Sequence, residues 1–87
     1  MRKYFFNWVN FGSVNTDEKI FLEKLGKNIT CLRKEQKLTK VQLAFEINTG
    51  EAAIRRIELG QVNSGVLILK KIASSLNVSM AELFNFE

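Results

Sequence analysis

Proline and histidine are absent from the 87 residues, and cysteine occurs once. Without proline, no helix is interrupted by a missing backbone N–H, so breaks fall to Gly, Asn and Ser. Without histidine there is no imidazole to serve as a base near neutral pH or to ligate a metal. The single thiol, Cys31, allows neither an intrachain disulfide nor a thiolate cluster; lying within an apolar helical pattern, it is expected to be a reduced thiol in the core. Apolar clusters fall short of the roughly 18 residues that a membrane span needs. The basic first residues lead into no uninterrupted apolar stretch and no small-residue cleavage site. The expectation is a cytoplasmic protein with no membrane partner.

What is present suits one folded domain with a modest core: 46% hydrophobic and 25% charged residues. A net charge of +4 leans toward a polyanionic partner without specifying one. Strands are poorly signalled beyond residue 11, and helical spacing dominates. From about Asp17 to Gln36, Phe21 or Leu22, Leu25, Ile29 and Leu32 recur on one face, with Thr16 or Asp17 as N-cap. Thr39 can cap a short helix from Lys40 to about Ile47, interrupted by Asn48-Thr49-Gly50. A third helix runs from Glu51 to Leu59 with Ile54 and Ile57 inward and Gly60 as a left-handed C-terminal cap. After a polar loop to Gly65, a fourth covers about Val66 to Leu76, closed by Asn77, and Ser79 caps a last short helix through Met80, Leu83 and Phe84. Five helices and an all-α domain over residues 17–87 are therefore predicted, preceded by an N-terminal extension at 1–16.

Two helices joined steeply by a three-residue turn need a small residue where the backbones approach, a residue tolerating positive φ in the turn, and branched apolar residues beneath. Ala44, Asn48, and Leu43, Ile47, Ile54 and Ile57 meet those needs in order. The segment from 38 to 60 thus reads as a helix-turn-helix.

Further segments carry a family likeness: Leu-Gly-Lys-Asn-Ile at 25–29, Leu-Arg-Lys-Glu at 32–35, Leu-Thr-Lys-Val-Gln-Leu-Ala at 38–44, Ile-Arg-Arg-Ile-Glu-Leu-Gly at 54–60 and Leu-Asn-Val-Ser-Met-Ala-Glu-Leu-Phe at 76–84. Over about residues 20–85 the chain resembles the phage-repressor and Cro type of helix-turn-helix domain, also called the xenobiotic-response-element family. The resemblance does not reach residues 1–16. It implies a five-helix, lambda-repressor-like fold and a transcriptional regulator that binds double-stranded DNA, usually as a homodimer on a palindromic site with its third helix in the major groove.

Carried over position by position, Arg33 and Glu58 match a structural ion pair between the first helix and the end of the third. Glu51, Ala52, Arg55 and Arg56, on the face away from Ile54 and Ile57, are the expected base-contacting set. Arg56 matches a family base-contact position and can offer its fork to guanine O6 and N7; Glu51 can accept from a cytosine amino group and Ala52 can touch a thymine methyl. Arg55 suits base or phosphate. Phosphate contacts are expected from Thr39 and Lys40 at the start of the second helix, with Lys34 and Lys37 nearby, and from Gln61, Asn63 and Ser64. The loop at 61–64 departs from the family in having no Lys, Arg or Pro, and residues 33–60 hold six basic against four acidic side chains. So mildly basic a motif has few phosphate contacts, which makes a dimer part of the reading.

Residues 1–16 stay open. Tyr4, Phe5, Phe6, Trp8 and Phe11 can pack back on the domain or form a dimer or partner surface, and Arg2 and Lys3 can lie on phosphate. The last helix, with Met80, Phe84 and Phe86, competes as a dimer surface. An antitoxin-type or antirepressor-type module, whose main partner is a protein, would carry the same motif. An enzyme is not expected: carboxylates are scattered over helical surfaces, and neither a nucleophile beside a base nor a glycine-rich phosphate loop appears. No cofactor or metal is expected.

Overall fold

The computed structural model describes residues 15–86, and everything above about residues 1–14, including the five aromatics and Arg2 and Lys3, lies outside the described residues. Five helices follow in order: α1 (Thr16–Glu35), α2 (Lys40–Glu46), α3 (Glu51–Glu58), α4 (Val66–Ser75) and α5 (Met80–Leu83). No strand occurs among the described residues.

Three of the helices start with the same reciprocal device. In α1, α2 and α5 the N-cap oxygen of Asn15, Thr39 or Ser79 accepts from the backbone N–H three residues on, and the side chain there (Glu18, Gln42, Glu82) accepts from the cap's own N–H. The cap of α1 is thus Asn15, not Thr16 or Asp17, because only Asn15 has an acid at the third following position to complete the box.

Four helices also end alike. Lys37, Asn48, Gly60 and Asn77 take φ values of 59°, 60°, 73° and 59°. The next residue's N–H then bonds back to the carbonyl five positions earlier: Leu38 to Arg33, Thr49 to Ala44, Gln61 to Arg56 and Val78 to Ala73, at 2.8–3.1 Å. Asn and Gly enter this region at little cost; Lys37 does so with a full side chain. The short α5 gets outside help, since Asn28 Nδ2 on α1 donates to the carbonyls of Glu82 and Leu83 at 3.0 and 2.7 Å.

Inside lie Leu25, Ile29, Leu43, Ala44, Ile47, Ile54, Ile57, Leu69, Ile72, Ala73, Leu76 and Leu83. Leu22, not Phe21, continues the inward row of α1: it is half-buried, whereas Phe21 is 48% exposed, stacks on Phe84 and meets Phe86 at a tilt, with ring centroids 6.2 and 5.4 Å away. Cys31 is exposed, against the expectation of a core thiol. The inward row of α1 is Leu25, Ile29 and Arg33, and a residue two past Ile29 turns about 200° away from it.

Glycine lets α1 and α3 touch. A methyl group on Gly26 would run into the Glu58 carbonyl, so the two backbones meet there. Next to that contact, Arg33 Nε donates to Glu58 Oε2 at 2.7 Å and Arg33 Nη2 donates to Glu58 Oε1 at 3.1 Å, both side chains buried. A third donor, Nη1, reaches the Leu38 carbonyl at 2.8 Å. Both backbone groups of Leu38 are therefore satisfied by Arg33, the N–H by its carbonyl and the C=O by its guanidinium.

Breaking one side of a buried pair costs far more than replacing both sides. Arg33→Met alone is expected to destabilise by about 3–5 kcal/mol in urea unfolding, and Arg33→Met with Glu58→Leu to regain most of that loss. A double variant no more stable than the single one would refute the assignment. Gly26→Ala is expected to cost about 3 kcal/mol or to prevent folding. Gly65, around which a methyl meets nothing within 4 Å, should tolerate Ser within about 0.5 kcal/mol.

Candidate nucleic-acid interface

Three neighbouring stretches of chain hold the polar side chains singled out above: the start of α2, the outer face of α3 and the loop after it. Helix α3 turns Ile54 and Ile57 into the core and leaves Arg55 and Arg56 exposed, with Glu51 and Ala52 half-buried at its first turn. It begins at Gly50, which supplies no side-chain cap, and its third residue is Ala53, so the box found at α1, α2 and α5 is missing. The acid stands instead at the first position, where Glu51 Oε1 accepts from Arg55 Nη1 at 2.7 Å, the two side chains 40% and 46% exposed. Solvent screens a pair so exposed, and its contribution to stability is about 0.3–0.5 kcal/mol. What it sets is direction: two charges of the outer face are coupled to each other.

At the start of α2, Thr39 Oγ1 accepts from the Gln42 N–H at 3.0 Å and the Thr39 N–H donates to Gln42 Oε1 at 2.8 Å. Thr39's main-chain donor is spent inside the box. Its hydroxyl proton and the amide NH₂ of Gln42 are not used in the box, and both residues are exposed. Gln42, whose spacing from Thr39 spells the box, is thus a donor beyond the expected phosphate-contacting residues. Lys40 is half-buried, while Lys34 in the last turn of α1 and Lys37 just beyond it are exposed.

Gln61 and Asn63 in the loop are exposed and Ser64 is half-buried. Asn63 and Ser64 also line a crevice of about 200 Å³ with Phe21, Leu22, Leu25, Ile57, Val62, Leu69 and Phe84, which seats the loop on the core through Val62. With Arg33 and Glu58 paired inside and Arg55 paired to Glu51, the basic side chains of 33–60 that make no ion pair among the described residues are Lys34, Lys37, Lys40 and Arg56. Among the described residues no group of acidic, cysteine or histidine side chains is arranged to hold a metal, and no helix is long and apolar enough to cross a membrane.

Besides Ile20 and Phe21 of α1, five large apolar side chains are exposed among the described residues. Val41 and Phe45 of α2 are 62% and 84% exposed, and Leu59, Val66 and Leu67, around the loop and the first turn of α4, are 54%, 69% and 73% exposed. Phe84 and Phe86, by contrast, are half-buried and spend their rings on Phe21.

Residues 32–83 match the family model described as helix-turn-helix. An immunity repressor protein of Bacillus phage phi105 is 32% identical over 63 residues, which is 72% of this chain and 44% of the repressor, so the chain spans less than half of that relative's length. Among solved structures, the restriction-modification controller protein C.AhdI from Aeromonas hydrophila superposes with a TM-score of 0.75 at 29% identity, over 78% of this chain and 99% of the controller. A helix-turn-helix family transcriptional regulator from Vibrio cholerae does so with a TM-score of 0.71 at 27% identity, over 77% of this chain and 38% of its own.

Proposed function

The chain belongs to the helix-turn-helix family of DNA-binding transcription regulators, and from that premise we propose that it binds a specific palindromic duplex as a symmetric dimer with α3 in the major groove. The observation that carries this reading is the outer face of α3, which presents Glu51, Ala52, Arg55 and Arg56 on a helix whose other face is locked into the core. Arg56 has no ion-pair partner among the described residues and takes the guanine contact, its fork matching O6 and N7. Ala52 lies against a thymine methyl. Thr39 through its hydroxyl, Lys40, Gln61, Asn63 and Ser64 hold the phosphates on either side, and Gln42 joins them through its free NH₂.

Few of these contacts carry charge, so one subunit grips DNA weakly and a second doubles the contacts. The apolar surface left at Leu59, Val66 and Leu67 supports a dimer: α4 is apolar on the face it buries and again at its exposed first turn. The phage repressor and the controller protein named above support a regulator; a module of antitoxin type, working mainly through a protein, has no comparable observation in its favour.

In gel shifts, Arg56→Ala is expected to weaken the cognate duplex selectively, by roughly tenfold, and Lys40→Ala to weaken cognate and random duplexes alike. Wild-type protein without sequence preference would sink the specific-regulator reading. Leu67→Asp is expected to give a folded monomer by light scattering at micromolar concentration and to lose cognate binding with it. A variant that stays dimeric would move the twofold elsewhere.

A further inference from the structure

Two arginines stand side by side on the outer face of α3, and they are not equivalent. Among the described residues Arg56 is outside any ion pair, whereas Arg55 Nη1 lies 2.7 Å from Glu51 Oε1, one turn back. A carboxylate at the leading end of a helix that enters a groove walled by phosphates is repelled unless its charge is balanced. Arg55 balances it. The bond is made through one oxygen only, so among the described residues Glu51 Oε2 has no partner and remains an acceptor. Nor is that oxygen drawn to its own backbone, as the acids of the capping boxes are, because Glu51 occupies the first helical position and Gly50 makes no side-chain cap bond.

We propose that Glu51 is the specificity-determining acceptor of this helix, selecting a cytosine through its amino group, and that Arg55 is a positioning residue that neutralises and aims that carboxylate. This rests on the reading of α3 as the element in the major groove. An acceptor-only group rejects guanine and thymine, which present O6, N7 or O4 there. Adenine has an amino donor as well, but it lies between two acceptors that repel a carboxylate, its own N7 and thymine O4, whereas the cytosine amino group has an acceptor, guanine O6, on one side only and C5–H on the other. The two arginines then divide the work: Arg56 reads a guanine directly, and Arg55 acts on the DNA through Glu51.

Selection of bound duplexes from a random library tests this with wild-type protein and the exposed-site variants Glu51→Gln, Arg55→Ala and Arg55→Lys. Wild type should favour cytosine at one position of each half-site by about five- to tenfold. Glu51→Gln should lose that preference or turn it to adenine, which a carboxamide pairs through N6 and N7. Arg55→Ala should flatten the same position to about two- to threefold, leave every other position and the slope of log affinity against log salt unchanged, and be partly rescued by Arg55→Lys. An unchanged profile in Glu51→Gln overturns the assignment. So does an Arg55→Ala protein that loses a guanine at a different position, or whose salt slope drops by about 0.9, since Arg55 would then touch base or phosphate itself. A wild-type protein that selects no sequence fails earlier, at the regulator reading, whereas normal selection by wild type with an indifferent Glu51→Gln fails only here.

Discussion

Two charges removed from water, on Arg33 and Glu58, join the first helix to the end of the third, and the geometry of the proposed interface is set from that junction. Burying a carboxylate and a guanidinium is costly, and the mutual attraction offsets it only when the remaining donors and acceptors are also used. Here they are: both carboxylate oxygens accept from Arg33, and the third guanidinium nitrogen holds the Leu38 carbonyl in the turn between α1 and α2. Among the described residues no buried side-chain polar atom is left without a partner. One residue therefore ties the long helix, the turn after it and the end of α3 into one unit.

That same residue explains a feature that the sequence hid. Lys37 occupies the left-handed region where glycine or asparagine is the ordinary choice. Its conformation follows from Leu38, whose N–H and C=O are both fixed to Arg33. Both bonds span only five residues, but the guanidinium that makes one of them is held in place by Glu58, and no reading of residues 36–38 in isolation contains it. The other three helix ends were legible because Asn48, Gly60 and Asn77 advertise their own φ. Thr39 and Ser79 were legible as caps for a similar reason, the competence of a short polar side chain to bond its own backbone.

Elsewhere the pattern misled by being ambiguous. Phe21 and Leu22 both fit a helical stripe on α1, and which one turns inward depends on Phe84 and Phe86, more than sixty residues away. Cys31 looked apolar in an apolar neighbourhood, yet rotation about the helix carries it to solvent. Asn28 resembled an ordinary surface residue, and only folding reveals that it closes the end of α5. For the interface, residue types and spacing pointed to the outer face of α3, but the pairing of Glu51 with Arg55 was not drawn from them, although four-residue spacing permits it. An exposed glutamate and arginine one turn apart can pair or stay apart at nearly equal free energy, and sequence does not rank the two.

The contact between Gly26 and Glu58 has one more consequence. At its C-terminal end α3 is clamped to α1 by bare backbone, by the buried ion pair and by Gly60, where a methyl would fall 2.7 Å from the Glu23 backbone. At its other end Gly50 has open space around it. There the helix is held through side chains instead, by fully buried Ile54 and by its packing on α2. The two ends therefore differ in tolerance: the C-terminal end admits no added methyl at Gly26, while the start of the helix has room for one at Gly50.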